Sequence, residues 1–179
     1  MPKQFLDIIG RGETLFQSTY NRLARMCKAD NIYVVTNEAY RSIIKEQVPV
    51  LKDEQILGEP QPRNTAPCIA YASYKIHSKN PNAVMAVLPS DHLIGDEDGF
   101  NDCLSKAFSF AGNNDVLLTL GIQPTRPDTG YGYIQFDEDK HQDGIYKVKT
   151  FTEKPNFELA SYFIKTGEFV WNSGMFIWS

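Results

Sequence analysis

The chain has 179 residues, 42% hydrophobic and 22% charged, with 12 glycines and 10 prolines, a globular composition that excludes disordered and collagen-like chains. A formal charge of −4 leaves no excess of Lys and Arg to neutralise a nucleic-acid backbone or an anionic membrane, so neither is expected as a partner. No apolar run approaches the roughly 20 residues that cross a bilayer, and Met1-Pro2-Lys3-Gln4 leads into no secretory apolar region, so a cytoplasmic location is expected.

Thr14-Leu15-Phe16-Gln17 has the form of a capping box, and Phe16, Tyr20, Leu23 and Cys27 recur at helical spacing, which predicts a helix from Thr14 to Lys28. Ile32–Thr36 reads as a short buried strand. An amphipathic helix follows over Glu38–Gln47, then a brief apolar strand over Gln55–Gly58. The next helix is expected to start with Thr65 as N-cap, placing Pro67 in its first turn where the missing N–H does no harm. Ala83–Leu88 is nearly continuous in apolar residues, as a strand covered on both faces should be. Phe100, Leu104, Ala107, Phe108 and Ala111 mark another helix, and Val116–Leu120 another strand. This alternation of strand and helix predicts an α/β fold with a Rossmann-like, doubly wound, mostly parallel sheet.

Beyond Gly121 the pattern changes to strand-like pieces at Tyr131–Phe136, Ile145–Phe151 and Gly174–Trp178, with one helix over Phe157–Thr166. One compact domain over residues 1–179 is expected, its second half supplying a less regular subsite. The front lacks the opening strand and Gly-rich loop of a nucleotide-binding sheet. Gly10-Arg11-Gly12 carries only two glycines of a dinucleotide fingerprint and the Walker lysine loop is absent, so dehydrogenase and kinase readings lose support. Cys27, Cys68 and Cys103 stand apart among apolar helical residues and read as core hydrophobes, and His77, His92 and His141 are equally scattered. Any metal would be a hard ion held by carboxylates.

In open α/β sheets ligands bind at the carboxyl ends of strands, which directs attention to three stretches. After Leu57, the loop from Gly58 to Pro67 feeds a helix N-terminus and can hydrogen-bond a purine edge or an anion; it can equally be a Pro-stiffened turn with a cap. After Leu88, Pro89-Ser90-Asp91-His92 sets a carboxylate that can hold Mg²⁺ alongside phosphate oxygens, or can fold back on its own turn. In the second half, Gly130 and Gly132 allow close backbone approach, Glu153 can accept from sugar hydroxyls, and Lys154 offers a point charge to a phosphate. The alternatives there are a strand entry at Gly-Tyr-Gly, a solvated pair at Glu153-Lys154 and an ordinary turn at Asn172-Ser173-Gly174.

Together these stretches resemble the sugar-nucleotide pyrophosphorylases, a nucleotidyltransferase family, and within it the branch that joins GTP to mannose 1-phosphate. Pro2-Lys3-Gln4-Phe5 is similar to the end of that family's N-terminal motif. Glu59-Pro60 with Arg63-Asn64-Thr65-Ala66-Pro67 resembles its guanine-binding loop, and Pro89-Ser90-Asp91-His92 its metal-binding turn. Gly130-Tyr131-Gly132-Tyr133-Ile134 and Glu153-Lys154-Pro155 resemble the sugar-phosphate site, and Asn172-Ser173-Gly174-Met175-Phe176 the sugar-side loop.

The resemblance implies GDP-mannose and pyrophosphate as products, by in-line attack of the sugar phosphate on the α-phosphorus of GTP with Mg²⁺ bridging phosphates. It further implies Asp91 as metal ligand, Lys3 on triphosphate charge, Lys154 on the incoming phosphate, and Glu153, Asn172 and the backbone at Gly132 on the sugar. Glu59, Arg63, Asn64, Thr65 and Ala66 would face the guanine. The family's Gly-rich loop and a second aspartate have no counterpart in this sequence. The expectation is therefore a catalytic domain incomplete at both ends, without turnover by itself, from a full-length protein that could form a homodimer. A relative using another base or sugar, and a non-catalytic relative that kept the pocket, are the competing readings.

Overall fold

The computed structural model describes every residue except Pro60, Pro62 and Arg63. The chain divides into two compact units, one formed by Met1–Met85 with Pro89–Lys106, the other by Ala86–Leu88 with Ala107–Ser179.

In the first unit, helix α1 (Leu15–Ala24) begins as the sequence predicts: Thr14 accepts from the Gln17 N–H, and the Gln17 side chain accepts from the Thr14 N–H. This reciprocal pair satisfies two donors that a helix start leaves open. Strand β1 (Val34–Asn37), helix α2 (Arg41–Gln47) and strand β2 (Ile56–Glu59) follow, and β1 and β2 pair in parallel from Val34↔Ile56 to Asn37↔Glu59. Their core contains Phe5, Phe16, Tyr20, Ile32, Ile44, Val48, Leu51 and Ile56. Phe5 sits edge-on to Phe16 with ring centroids 5.8 Å apart, and burying such a side chain contributes about 1.5–3 kcal/mol. That anchor holds the short turn carrying Lys3. The Gln47 side chain ties it further, donating to the Phe5 carbonyl at 3.1 Å and accepting from the Thr14 hydroxyl at 2.8 Å. Gln55 is buried but satisfied, donating to the carbonyls of Ala29 and Ile32 at 2.7 Å each.

Helix α3 (Thr65–Lys79) starts one residue earlier than the N-cap reading allows: Thr65 is already helical and Asn64 is the N-cap, with no side-chain capping bond. Strand β3 spans only Met85–Val87 and is half-buried, because the Ala83 N–H closes a turn on Asn80 instead of joining a ladder. Helix α4 covers Glu97–Asn113. The core reading of the cysteines fails at two of three positions, since Cys27 and Cys103 are exposed and Cys68 is half-buried. Cys27 lies past the end of α1, and on α4 the buried stripe is Leu104, Ala107 and Ala111, out of phase with Cys103.

The second unit carries strands β4 (Leu117–Ile122), β5 (Tyr133–Gln142), β6 (Ile145–Thr152) and β7 (Phe169–Trp178) and helix α5 (Phe157–Thr166). They form a five-stranded sheet in the order β3-β7-β5-β6, with β4 also on β7. The α/β class and the parallel pairing of the first unit are as predicted. Here, however, β4–β7, β5–β7 and β5–β6 are all antiparallel. The physical reason for the β5–β6 direction is local, because Asp143-Gly144 takes positive φ at both residues, the geometry of a two-residue hairpin. Helix α5 has Asn156 accepting from Leu159 N–H at its start and left-handed Gly167 at its end. Along β7 burial alternates strictly, placing Phe169, Trp171, Ser173, Met175 and Ile177 on one face and Asn172 on the other.

Candidate functional site

The expected site residues fall into two groups, one in each unit. In the first, the turn after β3 carries Asp91, whose Oδ2 lies 2.8 Å from Lys3 Nζ; its Oδ1 is 3.9 Å from His92 Nε2. The Lys3 side chain is 66% exposed and that of Asp91 31%, so this is a solvent-facing pair that incoming charged groups can rearrange at little cost. Among the described residues no backbone N–H donates to the Asp91 carboxylate, whose contacts are with the side chains of Lys3 and His92.

No group of three or more His, Cys, Asp or Glu among the described residues could cage a metal. Asp91 offers a single hard oxygen donor. That fits Mg²⁺, which keeps several waters and binds through one or two carboxylates plus substrate phosphates.

Glu59 ends β2, and Asn64, Thr65 and Ala66 open α3; Arg63 lies outside the described residues. Asn64 has φ 64° and ψ −171°, a region that only glycine occupies without cost. Burial, then the charge of Glu59, pushes the Cys68 thiol up, keeping it protonated and unreactive near neutral pH. Gly58 is bare because the Glu38 carboxylate lies against it while forking onto Arg41, with Oε1 2.6 Å from Nε and Oε2 3.1 Å from Nη2.

In the second unit the structure brings Gly132, Glu153 and Asn172 together. The Asn172 N–H donates to the Gly132 carbonyl at 2.8 Å. A Cβ added at Gly132 would stand 2.9 Å from Glu153 Oε2 and 3.5 Å from Asn172 Cβ, so the glycine exists for close approach. The Asn172 side chain is oriented: its Oδ1 accepts from Gly174 N–H at 3.0 Å and, weakly, from the Thr119 hydroxyl at 3.5 Å. Its NH₂ group donates to nothing among the described residues, and the Glu153 carboxylate, an acceptor, stands against the bare Gly132 Cα. This is the polarity a sugar hydroxyl matches. Lys154 adjoins them with Nζ 3.2 Å from Glu153 Oε1, both side chains well exposed, and its backbone is left-handed at φ 42°. The solvated charge pair is thus real, and it sits beside the glycine.

Two residues to which the sequence reading assigned no role shape this turn. The Asp128 carboxylate accepts from Gly130 N–H at 2.8 Å and from Arg126 Nη2 at 2.7 Å. These contacts, the Gly130 N–H foremost, hold it below the usual carboxylate range. Tyr133, fully buried, accepts from the Asp128 N–H at 3.1 Å and donates to the Asp128 carbonyl at 3.0 Å. The Asp-x-Gly spacing of an Asx-turn was the available signal for Asp128.

A family model described as nucleotidyl transferase matches residues 1–179. Among curated proteins, the mannose-1-phosphate guanylyltransferase of Escherichia coli strain K12 is 42% identical over 183 residues, which is 98% of this chain and 38% of that protein. The alginate biosynthesis protein AlgA of Pseudomonas putida is 40% identical over 179 residues, 98% of this chain and 36% of its own length. This chain therefore spans little more than a third of those relatives. A crystal structure named mannose-1-phosphate geranyltransferase, from Thermus thermophilus, superposes with a TM-score of 0.89 at 29% identity, covering 99% of this chain and 50% of that one.

Proposed function

This chain belongs to the nucleotidyl transferase family, and from that premise we propose that it carries substrate-binding groups of an enzyme making GDP-mannose and pyrophosphate from GTP and mannose 1-phosphate. The observation that carries the reading is the cluster of Gly132, Asn172 and Glu153: the Glu153 carboxylate stands against a bare Cα, the Asn172 N–H is bonded to the Gly132 carbonyl, and a lysine lies beside them. Glu153 accepts from a sugar hydroxyl, the Asn172 amide donates to one, and Lys154 faces the phosphate. Fixing the sugar phosphate in this way raises the effective concentration of its attacking oxygen.

Lys3 neutralises triphosphate charge, and Glu59, Arg63, Asn64, Thr65 and Ala66 face the guanine edge. A site shaped to hydrogen-bond one purine edge leaves polar groups unmatched against another, which is how GTP is chosen over ATP. Asp91 would hold Mg²⁺, which when bound supplies charge neutralisation to the phosphates. The enzyme would work in the cytosol, in keeping with three free cysteines and no disulfide among the described residues.

The test is pyrophosphate release by the full-length protein, with GTP, ATP or UTP paired against mannose 1-phosphate or glucose 1-phosphate. Turnover at least tenfold faster with GTP and mannose 1-phosphate than with any other pair is expected. Equal rates with ATP would overturn the base assignment, and equal rates with glucose 1-phosphate the sugar assignment.

A further inference from the structure

We propose that Asp128 and Tyr133 are positioning residues for the sugar phosphate, acting through the turn that presents Gly132. The inference rests on the sugar-side reading of Gly132, Glu153 and Asn172. Between Asp128 and Tyr133 the chain must turn so that Gly132 meets Glu153 and its carbonyl meets the Asn172 N–H.

Two devices set that turn. The Asp128 carboxylate receives the Gly130 N–H at 2.8 Å, curling the chain, while its other oxygen holds Arg126 at 2.7 Å. The Arg126 guanidinium in turn lies 5.5 Å from the centre of the Trp171 ring, next in sequence to Asn172. Tyr133 closes the turn from below, its hydroxyl bonded to both the N–H and the carbonyl of Asp128. A fully buried tyrosine hydroxyl with two backbone partners at one residue acts as a staple: losing it takes from the Asp128 carbonyl its donor and leaves the Asp128 N–H only its bond to the Arg126 carbonyl, at 3.0 Å. The Tyr133 ring is held independently against Phe163, with centroids 5.4 Å apart, so the hydroxyl can be removed without removing the packing.

Both ends of Gly132's surroundings are thereby tied to Asp128. On one side the Gly130 N–H fixes the approach to Gly132; on the other, Arg126 reaches the strand that carries Asn172. A small loosening here moves the Gly132 carbonyl and Cα relative to Glu153 and Asn172, and all of these residues belong to the second unit. The signature is therefore a split between the two substrates.

The experiment uses the full-length protein with Asp128→Ala, Asp128→Asn and Tyr133→Phe, measuring KM for mannose 1-phosphate, KM for GTP and thermal unfolding. Asp128→Ala should raise the mannose 1-phosphate KM five- to fiftyfold with the GTP constant within twofold. Asp128→Asn keeps an oxygen for the Gly130 N–H and should recover most of that loss, and Tyr133→Phe should shift the same constant in the same direction. Glu153→Ala, run in parallel, separates the two levels of the argument. If Glu153→Ala leaves the mannose 1-phosphate constant unchanged, the sugar-side reading fails and this inference with it. If Glu153→Ala raises it but both Asp128→Ala and Tyr133→Phe leave it within twofold, the positioning role alone is overturned. Should Asp128→Ala fail to fold, Tyr133→Phe decides: equal shifts in both KM values, or none, overturn the proposal.

Discussion

Gly132→Ala separates binding from folding, and its consequence can be worked from the structure. The glycine has no positive φ, so alanine fits the backbone, and the added methyl stands 2.9 Å from Glu153 Oε2, 3.5 Å from Asn172 Cβ and 3.7 Å from the Thr152 carbonyl. Only the first of these is a clash. Glu153 is 70% exposed at its side chain, so its carboxylate swings away at small cost, partly offset by the roughly 0.4–1 kcal/mol that Gly→Ala recovers by restricting the unfolded chain. Stability should then change by less than about 1 kcal/mol. On the proposed sugar-binding role of Glu153, a displaced carboxylate cannot meet the hydroxyl, and a hydrogen bond to a charged group contributes about 1.5–3 kcal/mol, or about 10- to 150-fold in affinity. The assay is pyrophosphate release by the full-length protein at saturating GTP with mannose 1-phosphate varied, alongside thermal unfolding. The double variant with Glu153→Ala should be no worse than the worse single, because both remove the same contact. A mannose 1-phosphate KM within twofold of wild type, or fully additive losses, would refute the reasoning.

Three further outcomes follow from the same geometry. Asp91→Asn in the full-length protein should raise the Mg²⁺ needed for half-maximal rate at least tenfold while thermal unfolding stays within a few degrees, because exposed pairs such as Lys3–Asp91 contribute only about 0–1 kcal/mol; an unchanged Mg²⁺ titration would remove Asp91 as ligand. Asn64→Gly should raise the urea midpoint, since the strained backbone costs about 1–3 kcal/mol and glycine gives back less than that in unfolded-state entropy, and should weaken GTP binding; a lowered midpoint would contradict the strain. The Asp128 carboxyl is depressed in the folded state, so its contribution is present above the unfolded pKa, about 3.9 for aspartate, and disappears as pH falls through the lower folded value. The stability difference between wild type and Asp128→Asn should accordingly close on acidification, and a gap that widens below pH about 4 would reverse the sign.

What the sequence reveals of this fold is what depends on neighbouring residues. The Thr14–Gln17 capping box and the span of α5 are legible because capping and helical periodicity act within one turn of chain. The antiparallel direction of β7 against β4 and β5 depends on residues far apart in sequence, such as Gly121 facing Asn172 and Tyr133 facing Trp171, and no local pattern encodes it. Burial misleads for the same reason: Cys103 lies among apolar neighbours in sequence, but helix phase turns Leu104 inward in its place. In the proposed sugar site, the Asn172 oxygen is held by the Gly174 N–H, a contact within two residues, and by the Thr119 hydroxyl, which only the folded sheet brings to it.

Four aspartates differ in what their carboxylates face, which bears on the metal role proposed for Asp91. Asp7 accepts from the N–H groups of Gly10, Arg11 and Gly12 at 2.7, 3.1 and 2.8 Å, Asp96 from Gly99 at 2.9 Å, and Asp128 from Gly130 at 2.8 Å. In each, the carboxylate accepts from the N–H of a glycine two or three residues on, and the charge is spent on local structure. Positions 93 and 94 after Asp91 are Leu and Ile, and the carboxylate there faces the side chains of Lys3 and His92. A carboxylate whose partners are mobile side chains can exchange them for a cation and its waters, whereas one clasped by backbone N–H groups must first break the turn. By that criterion the proposed metal role falls to Asp91, the one of these four whose contacts among the described residues are with side chains alone.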